Sequence, residues 1–134
     1  MKIVLIFSLL SSFVFANSAL KNYMQQLQKE AKKSNPNFQG FSIKRGEKIF
    51  FSKHIGKRGQ KISCASCHTS NLKAIGENIF TGKKIKPLSP KANPKRLSNI
   101  KKVKKWLRRN FKDVYNREGT SQEKGDVLKF ILNN

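Results

Sequence analysis

Cys64-Ala65-Ser66-Cys67-His68 contains both cysteines of the chain and sets a histidine directly after the second. Two thiols three residues apart can reach the two vinyl-derived carbons of one porphyrin edge as thioethers. The histidine that follows can then turn under the ring and bind iron through an imidazole nitrogen. This is the attachment pattern of one covalent haem c. Three other chemistries use the same residues. A redox dithiol expects a βαβ context, which the surrounding pattern does not offer. Zinc needs four ligands; Cys64, Cys67, His68 and His54 are the only Cys and His side chains in the chain, and adjacent Cys67 and His68 are awkward in one tetrahedron. A plain disulfide remains the simplest alternative.

A haem iron held by His68 has a second axial position to fill. Electron-carrying cytochromes c often place a methionine there. The only methionines here are Met1, at the start of an export-signal pattern, and Met24, which falls in a packing stripe before the haem motif. His54 is one candidate, beside a basic loop where the alternative is a surface histidine. Asn110 is another. It follows Val103 by seven residues, so at about 100° per residue it lies near the same helical face as that apolar side chain. Its alternative role is a helix C-terminal cap. Trp106, on the same face, is expected to pack against haem.

The elements that must position these residues are helical. Leu20, Met24, Leu27 and Ala31 recur at helical spacing over residues 18–33, and Ser34-Asn35-Pro36-Asn37 stops the pattern. Ser42 can cap a second helix in which Gly46 and Phe50 make a notch beside a large ring, suited to the close approach of another helix. Residues 55–60 read as loop. Pro87, Pro90 and Pro94, with Gly76 and Gly82, predict a mostly irregular stretch over residues 71–97. Ser98 can cap a third helix carrying Ile100, Val103, Trp106, Leu107 and Asn110. Thr120 with Glu123 reads as a capping box opening the last. The expectation is four short helices and no strand: an all-α fold in which a porphyrin supplies part of the core.

Composition bounds the rest. The chain has 134 residues, enough for one small domain, with 29 Lys+Arg against 7 Asp+Glu and a formal charge of +22. Met1-Lys2, the apolar run of residues 3–15 and Ala16 form a secretory-signal pattern, too short for a spanning helix, so stable membrane insertion is not expected. The expected organisation is a signal peptide at 1–16, an amphipathic helix and linker at 17–40, and a haem domain at 41–134. Removal of residues 1–16 takes away one positive charge, Lys2, so the excess belongs to the exported protein. Export to the periplasm turns the expectation away from nucleic acid and toward acidic proteins or anionic membrane surfaces. From Lys83 to Lys112 there are thirteen Lys/Arg and no acid. That run reads either as an ordinary solvated surface or as a docking rim for an acidic redox partner.

From Pro36 to Leu132 the chain resembles the sphaeroides haem protein family of high-spin cytochromes c. The resemblance is carried by residues 35–54 (NPNFQGFSIKRGEKIFFSKH), the haem motif with Thr69-Ser70, Lys84-Ile85-Lys86-Pro87, Asn93-Pro94-Lys95-Arg96, and Lys104-Lys105-Trp106-Leu107-Arg108-Arg109-Asn110. It continues through Asp113-Val114, Arg117-Glu118 and residues 123–128 (EKGDVL). It implies a class I cytochrome c-like fold with an extra N-terminal helix. It also implies that Asn110 is a weak sixth ligand, which leaves iron on reduction or when oxygen or nitric oxide arrives. The implied partners are a dihaem cytochrome c or a membrane cytochrome b. Relatives bridge two cysteines at the places of Phe111 and Gly119; here that disulfide is absent, and packing of Phe111 is the expected substitute. The resulting expectation is an electron-transfer cytochrome able to bind small diatomic gases. The alternatives are a terminal oxygen or nitric oxide reductase or scavenging enzyme, a gas-binding sensor module, and a low-spin bis-histidine carrier using His54.

Overall fold

The computed structural model describes residues 10–134, with side chains from residue 18 onward. The expected signal at 1–16 therefore lies outside the residues whose side chains are described. Among the described residues, no helix is long and apolar enough to cross a membrane.

The order is α1 (Leu10–Ser34), α2 (Ile43–Phe51), β1 (His54–Ile55), β2 (Lys61–Ile62), α3 (Ala65–His68), β3 (Gly76–Glu77), β4 (Lys84–Ile85), α4 (Ile100–Tyr115) and α5 (Ser121–Asn133). The fold is all-α in its core, as expected, but the loops contain two short antiparallel ladders. β1 pairs with β2 through His54 and Ile62, and β3 pairs with β4 through Gly76 and Ile85. Each strand is two residues long, too short for the period-2 alternation by which a strand is read from sequence.

The apolar stripe of α1 is Leu20, Tyr23, Leu27 and Ala31, all buried against α4 and α5. Tyr23 takes the place expected of Met24, which is half-buried at the margin of the same cluster. The centre of the molecule is the crossing of α2 and α5. The Ser42 hydroxyl opens α2 by accepting from the Arg45 N–H at 3.2 Å. One turn on, Gly46 lies against α5, where a Cβ would stand 2.0 Å from the Asp126 carbonyl oxygen. Only a residue without a side chain permits that approach, so the predicted notch is a helix–helix contact. Phe50 and Leu128, each 1% exposed, fill the space beside it. Full burial of such side chains contributes about 2–3 kcal/mol each.

α5 starts with the predicted capping box: Thr120 Oγ1 accepts from the Glu123 N–H, and the Glu123 carboxylate accepts from the Thr120 N–H at 2.8 Å. Arg117 adds two hydrogen bonds to the same carboxylate, at 2.7 and 2.8 Å, and this guanidinium holds it below the usual glutamate range. The start of α4 differs from expectation by one residue. Asn99 is the cap, its side chain accepting from Lys102 N–H at 3.0 Å, while the Ser98 hydroxyl donates to the Lys95 carbonyl.

The stretch 71–97 is anchored rather than free. Leu88 and Ser89 N–H groups both donate to the Leu72 carbonyl. The fully buried Ser89 hydroxyl donates to the Asn134 carbonyl, tying the loop to the end of α5. Arg96 and Asn93 donate to the Pro87 carbonyl at 3.0 and 3.2 Å. These bonds satisfy backbone groups that a proline-rich segment cannot pair in a ladder.

Candidate haem site

The haem motif forms one helical turn. Cys64 caps α3 in a helical conformation, and the N–H groups of Cys67 and His68 both donate to its carbonyl, at 3.2 and 3.1 Å. Thr69 ends the turn with φ at 64°. Gly76 of β3 lies directly against it, since a Cβ there would stand 2.2 Å from the Cys67 carbonyl oxygen. The turn is thus backed by a short ladder through main-chain contact.

Both cysteines are free and half-buried. Burial pushes the Cys64 thiol up to about 12, which disfavours a thiolate at neutral pH. The low-thiolate environment runs against a redox dithiol. No group of three or more His, Cys, Asp and Glu side chains suited to a metal ion is found among the described residues, which removes the zinc alternative there. Burial, with a smaller push from the charge of nearby Arg96, lowers the His68 imidazole to about 4. It is therefore neutral at physiological pH and keeps a lone pair for a metal. Two thiols on one helical turn, followed by a half-buried neutral imidazole, are a donor set that fits haem c.

α4 shares a core with this turn. Val103, Leu107, Phe111 and Val114 form its buried stripe, and Cys64 and Ala65 pack against the same cluster. The stripe is rotated toward Phe111 relative to the expected face. Asn110 lies on its flank, half-buried, in the middle of α4 and five residues before the helix ends. The cap alternative for Asn110 is thereby excluded, because the C-cap is Asn116, in the left-handed conformation at φ 55°. The other half-buried asparagines, Asn35, Asn78, Asn93 and Asn134, all hydrogen-bond through their side chains. Among the described residues Asn110 is the half-buried asparagine whose amide finds no protein partner.

Trp106, expected to pack against haem, lies at the edge of the protein's own buried stripe and is 48% exposed. Lys105 and Arg109 lie over its ring at 5.8 and 5.1 Å. It is thus outside the core formed by protein side chains, one helical turn from Asn110. His54 is no surface histidine. Its half-buried ring stacks on Tyr115 with centroids 4.1 Å apart, and its Nε2 is buried without a hydrogen-bond partner.

Phe111 and Gly119, the positions where relatives are expected to carry a disulfide, are in contact. A Cβ on Gly119 would lie 2.7 to 2.8 Å from three atoms of the Phe111 ring. A large ring seated on a bare backbone therefore joins α4 to the approach to α5, without covalent chemistry. Sequence reasoning anticipates this contact but misses two others. The Tyr115 hydroxyl donates to the Ile49 carbonyl at 2.8 Å, and the Asp126 carboxylate of α5 pairs with Arg45 of α2.

Known proteins share both the sequence and this arrangement. The family described as a domain of unknown function (DUF1924) matches residues 36–131. Cytochrome c'' of Methylophilus methylotrophus is 35% identical over 102 residues, covering 76% of this chain and 71% of that protein. The cytochrome c-type protein SHP of Cereibacter sphaeroides is 38% identical over 87 residues, covering 65% and 67% respectively. The crystal structure of oxidised cytochrome c'' superposes with a TM-score of 0.77 at 31% identity, covering 87% of this chain and 95% of that one. Oxidised SHP, described as an oxygen-binding cytochrome c, gives 0.74 at 30% identity, covering 86% and 96%. With a haem-attachment turn in an all-α fold that superposes on these proteins, the chain belongs to the cytochrome c''/SHP family of monohaem c-type cytochromes and carries covalently bound haem c.

Proposed function

We propose that this cytochrome is a periplasmic electron-transfer protein that, once reduced, admits a small diatomic molecule such as oxygen or nitric oxide at the axial position of Asn110. Haem c supplies a one-electron redox centre with two axial positions. Cys64 and Cys67 would hold it through thioethers, and His68, kept neutral by burial, would bind the iron. The Asn110 amide oxygen would be a second, neutral donor, adequate toward ferric iron and weak toward ferrous iron.

The observation that carries this reading is the unpartnered, half-buried Asn110 amide on the helix that shares its core with the haem turn. The amide has no protein partner and stands on the helix whose buried stripe packs with Cys64 and Ala65, which leaves it available to a ligand. The similarity to SHP, an oxygen-binding cytochrome c, supports the same reading. So does the similarity to cytochrome c'', whose solution structure bears on haem-ligand detachment in that protein.

Optical and EPR spectra of oxidised and dithionite-reduced protein, with and without carbon monoxide, test it. The oxidised form is expected to be six-coordinate. The reduced form is expected to be high-spin and to shift on adding carbon monoxide. A low-spin reduced spectrum unmoved by carbon monoxide overturns the proposal and favours His54 as ligand.

Partner recognition follows from charge. Lys101, Lys102, Lys104, Lys105, Arg108, Arg109 and Lys112 cover the outer surface of α4, beside Asn110. This rim suits an acidic redox partner, such as a dihaem cytochrome c or an acidic face of a membrane cytochrome b. Electron-transfer rates with such a partner are expected to fall as salt rises above about 0.1 M, where the Debye length is about 10 Å. A rate independent of ionic strength removes the docking role.

A further inference from the structure

We propose that the β1–β2 hairpin is a strap that sets the position of Asn110 relative to the haem turn, with Gly56 and Tyr115 as positioning residues for the sixth ligand. The inference rests on Asn110 being that ligand.

The last turn of a helix leaves carbonyls without intrahelical partners. In α4, the Asp113 carbonyl is taken by the hairpin, accepting from the Lys57 N–H at 3.0 Å. Gly56 lies against the same carbonyl, where a Cβ would stand 2.3 Å from the oxygen. The hairpin therefore reaches the helix only because position 56 has no side chain. Two residues further along α4, the Tyr115 hydroxyl donates to the Ile49 carbonyl at 2.8 Å, and its ring lies between those of His54 and Phe111, at 4.1 and 5.3 Å. The His54 ring is half-buried against Tyr115, and its Nε2 is buried without a hydrogen-bond partner.

The other end of the strap reaches the haem. His54 pairs across the ladder with Ile62, a buried residue two positions before Cys64. The path from Asp113 and Tyr115, through Gly56 and His54, to Ile62 and Cys64 consists of main-chain bonds and packed rings. Asn110 stands one helical turn before Asp113, and a helix moves as a rigid body over that length. Displacing the end of α4 from the hairpin thus displaces Asn110 from the haem turn. A weak neutral donor is sensitive to shifts of the order of an ångström, the scale at which a preorganised site fails.

The test compares four variants of the holoprotein. Gly56→Ala presses on Asp113. Tyr115→Phe keeps the stacked ring and loses the bond to Ile49. Gly59→Ala strains the same hairpin, at φ +76°, but its Cβ meets nothing within 4 Å. Asn110→Ala removes the ligand outright. The readouts are the high-spin fraction of the oxidised protein by EPR, well below each variant's melting temperature, and the rate of carbon monoxide binding to the reduced protein. Gly56→Ala is expected to raise the high-spin fraction at least threefold, in the direction of Asn110→Ala, with Tyr115→Phe moving the same way to a smaller extent. Gly59→Ala is expected to lower the melting temperature and leave the spectrum at the wild-type value.

If Asn110→Ala shifts the spectrum while folded Gly56→Ala and Tyr115→Phe do not, the strap is overturned and the ligand reading stands. An unchanged spectrum for Asn110→Ala overturns the ligand reading, and the strap with it. Should Gly56→Ala fail to fold, Tyr115→Phe decides, because it retains the ring and the core.

Discussion

The Cys64→Ser, Cys67→Ser double variant is expected to carry no covalently bound haem. Haem staining on a denaturing gel and retention of haem through acid-acetone extraction are both expected to be lost. The wild-type turn holds two sulfurs on one helical turn, fixed by the hydrogen bond from the Cys67 N–H to the Cys64 carbonyl at 3.2 Å. Serine preserves that backbone but removes the sulfur nucleophile on which thioether formation depends. Each single variant keeps one thioether and is expected to stain at reduced yield. The crossing of α2 and α5 is built from protein side chains, so the double variant is expected to keep part of its helical circular dichroism. The haem turn, and the loop tied to it, lose the apolar surface of a porphyrin and are expected to melt less cooperatively. Full staining of the double variant after extraction would contradict the assignment of these thiols.

Asp126→Ala is expected to cost about 3 kcal/mol or more of folding stability, the lower end of the range for breaking a buried ion pair, and to be read from the midpoint of a urea titration. Asp126 is 1% exposed. Its carboxylate accepts from the Ser42 N–H at 2.7 Å, from Arg45 Nε at 2.7 Å and from Arg45 Nη2 at 3.0 Å. One α5 side chain therefore holds both the cap residue and the first turn of α2. Removing it leaves the Ser42 N–H without that acceptor and Arg45 without its counter-charge. The Arg45 side chain is 47% exposed and recovers part of its hydration, which limits the loss. Asp126→Asn, with one acceptor oxygen left, is expected to fall between the two. A loss below about 1 kcal/mol for Asp126→Ala would show that water replaces the carboxylate and that this bridge is not what orders the crossing.

These residues show which inferences sequence supports. The haem motif was readable because its chemistry needs one contiguous turn, in which spacing alone brings two thiols and an imidazole to one edge. The caps at Ser42 and Thr120-Glu123 were readable for the same reason: donor and acceptor lie within three residues. The cap of α4 falls one residue after Ser98 because Ser98 and Asn99 are both competent caps, and the structure starts the helix from Asn99. The ladders β1–β2 and β3–β4 left no periodic trace at two residues per strand.

By itself the sequence determined the cofactor chemistry, the helical class, the notch at Gly46 and the basic charge of the segment that carries Asn110. The resemblance of residues 36–132 added the expected ligand and the missing disulfide. Tertiary structure decided which partners each side chain actually meets. Arg45 and Asp126 lie 81 residues apart, and Tyr115 lies 66 residues from Ile49. The Phe111 ring lies on Gly119, and the Asp113 carbonyl lies against Gly56. Tertiary structure also left the Asn110 amide without a protein partner and placed Trp106 at the edge of the core. Residue type and spacing encode interactions that close within a helical turn. A contact between segments tens of residues apart depends on how helices cross, and that is settled only when all their side chains are packed together.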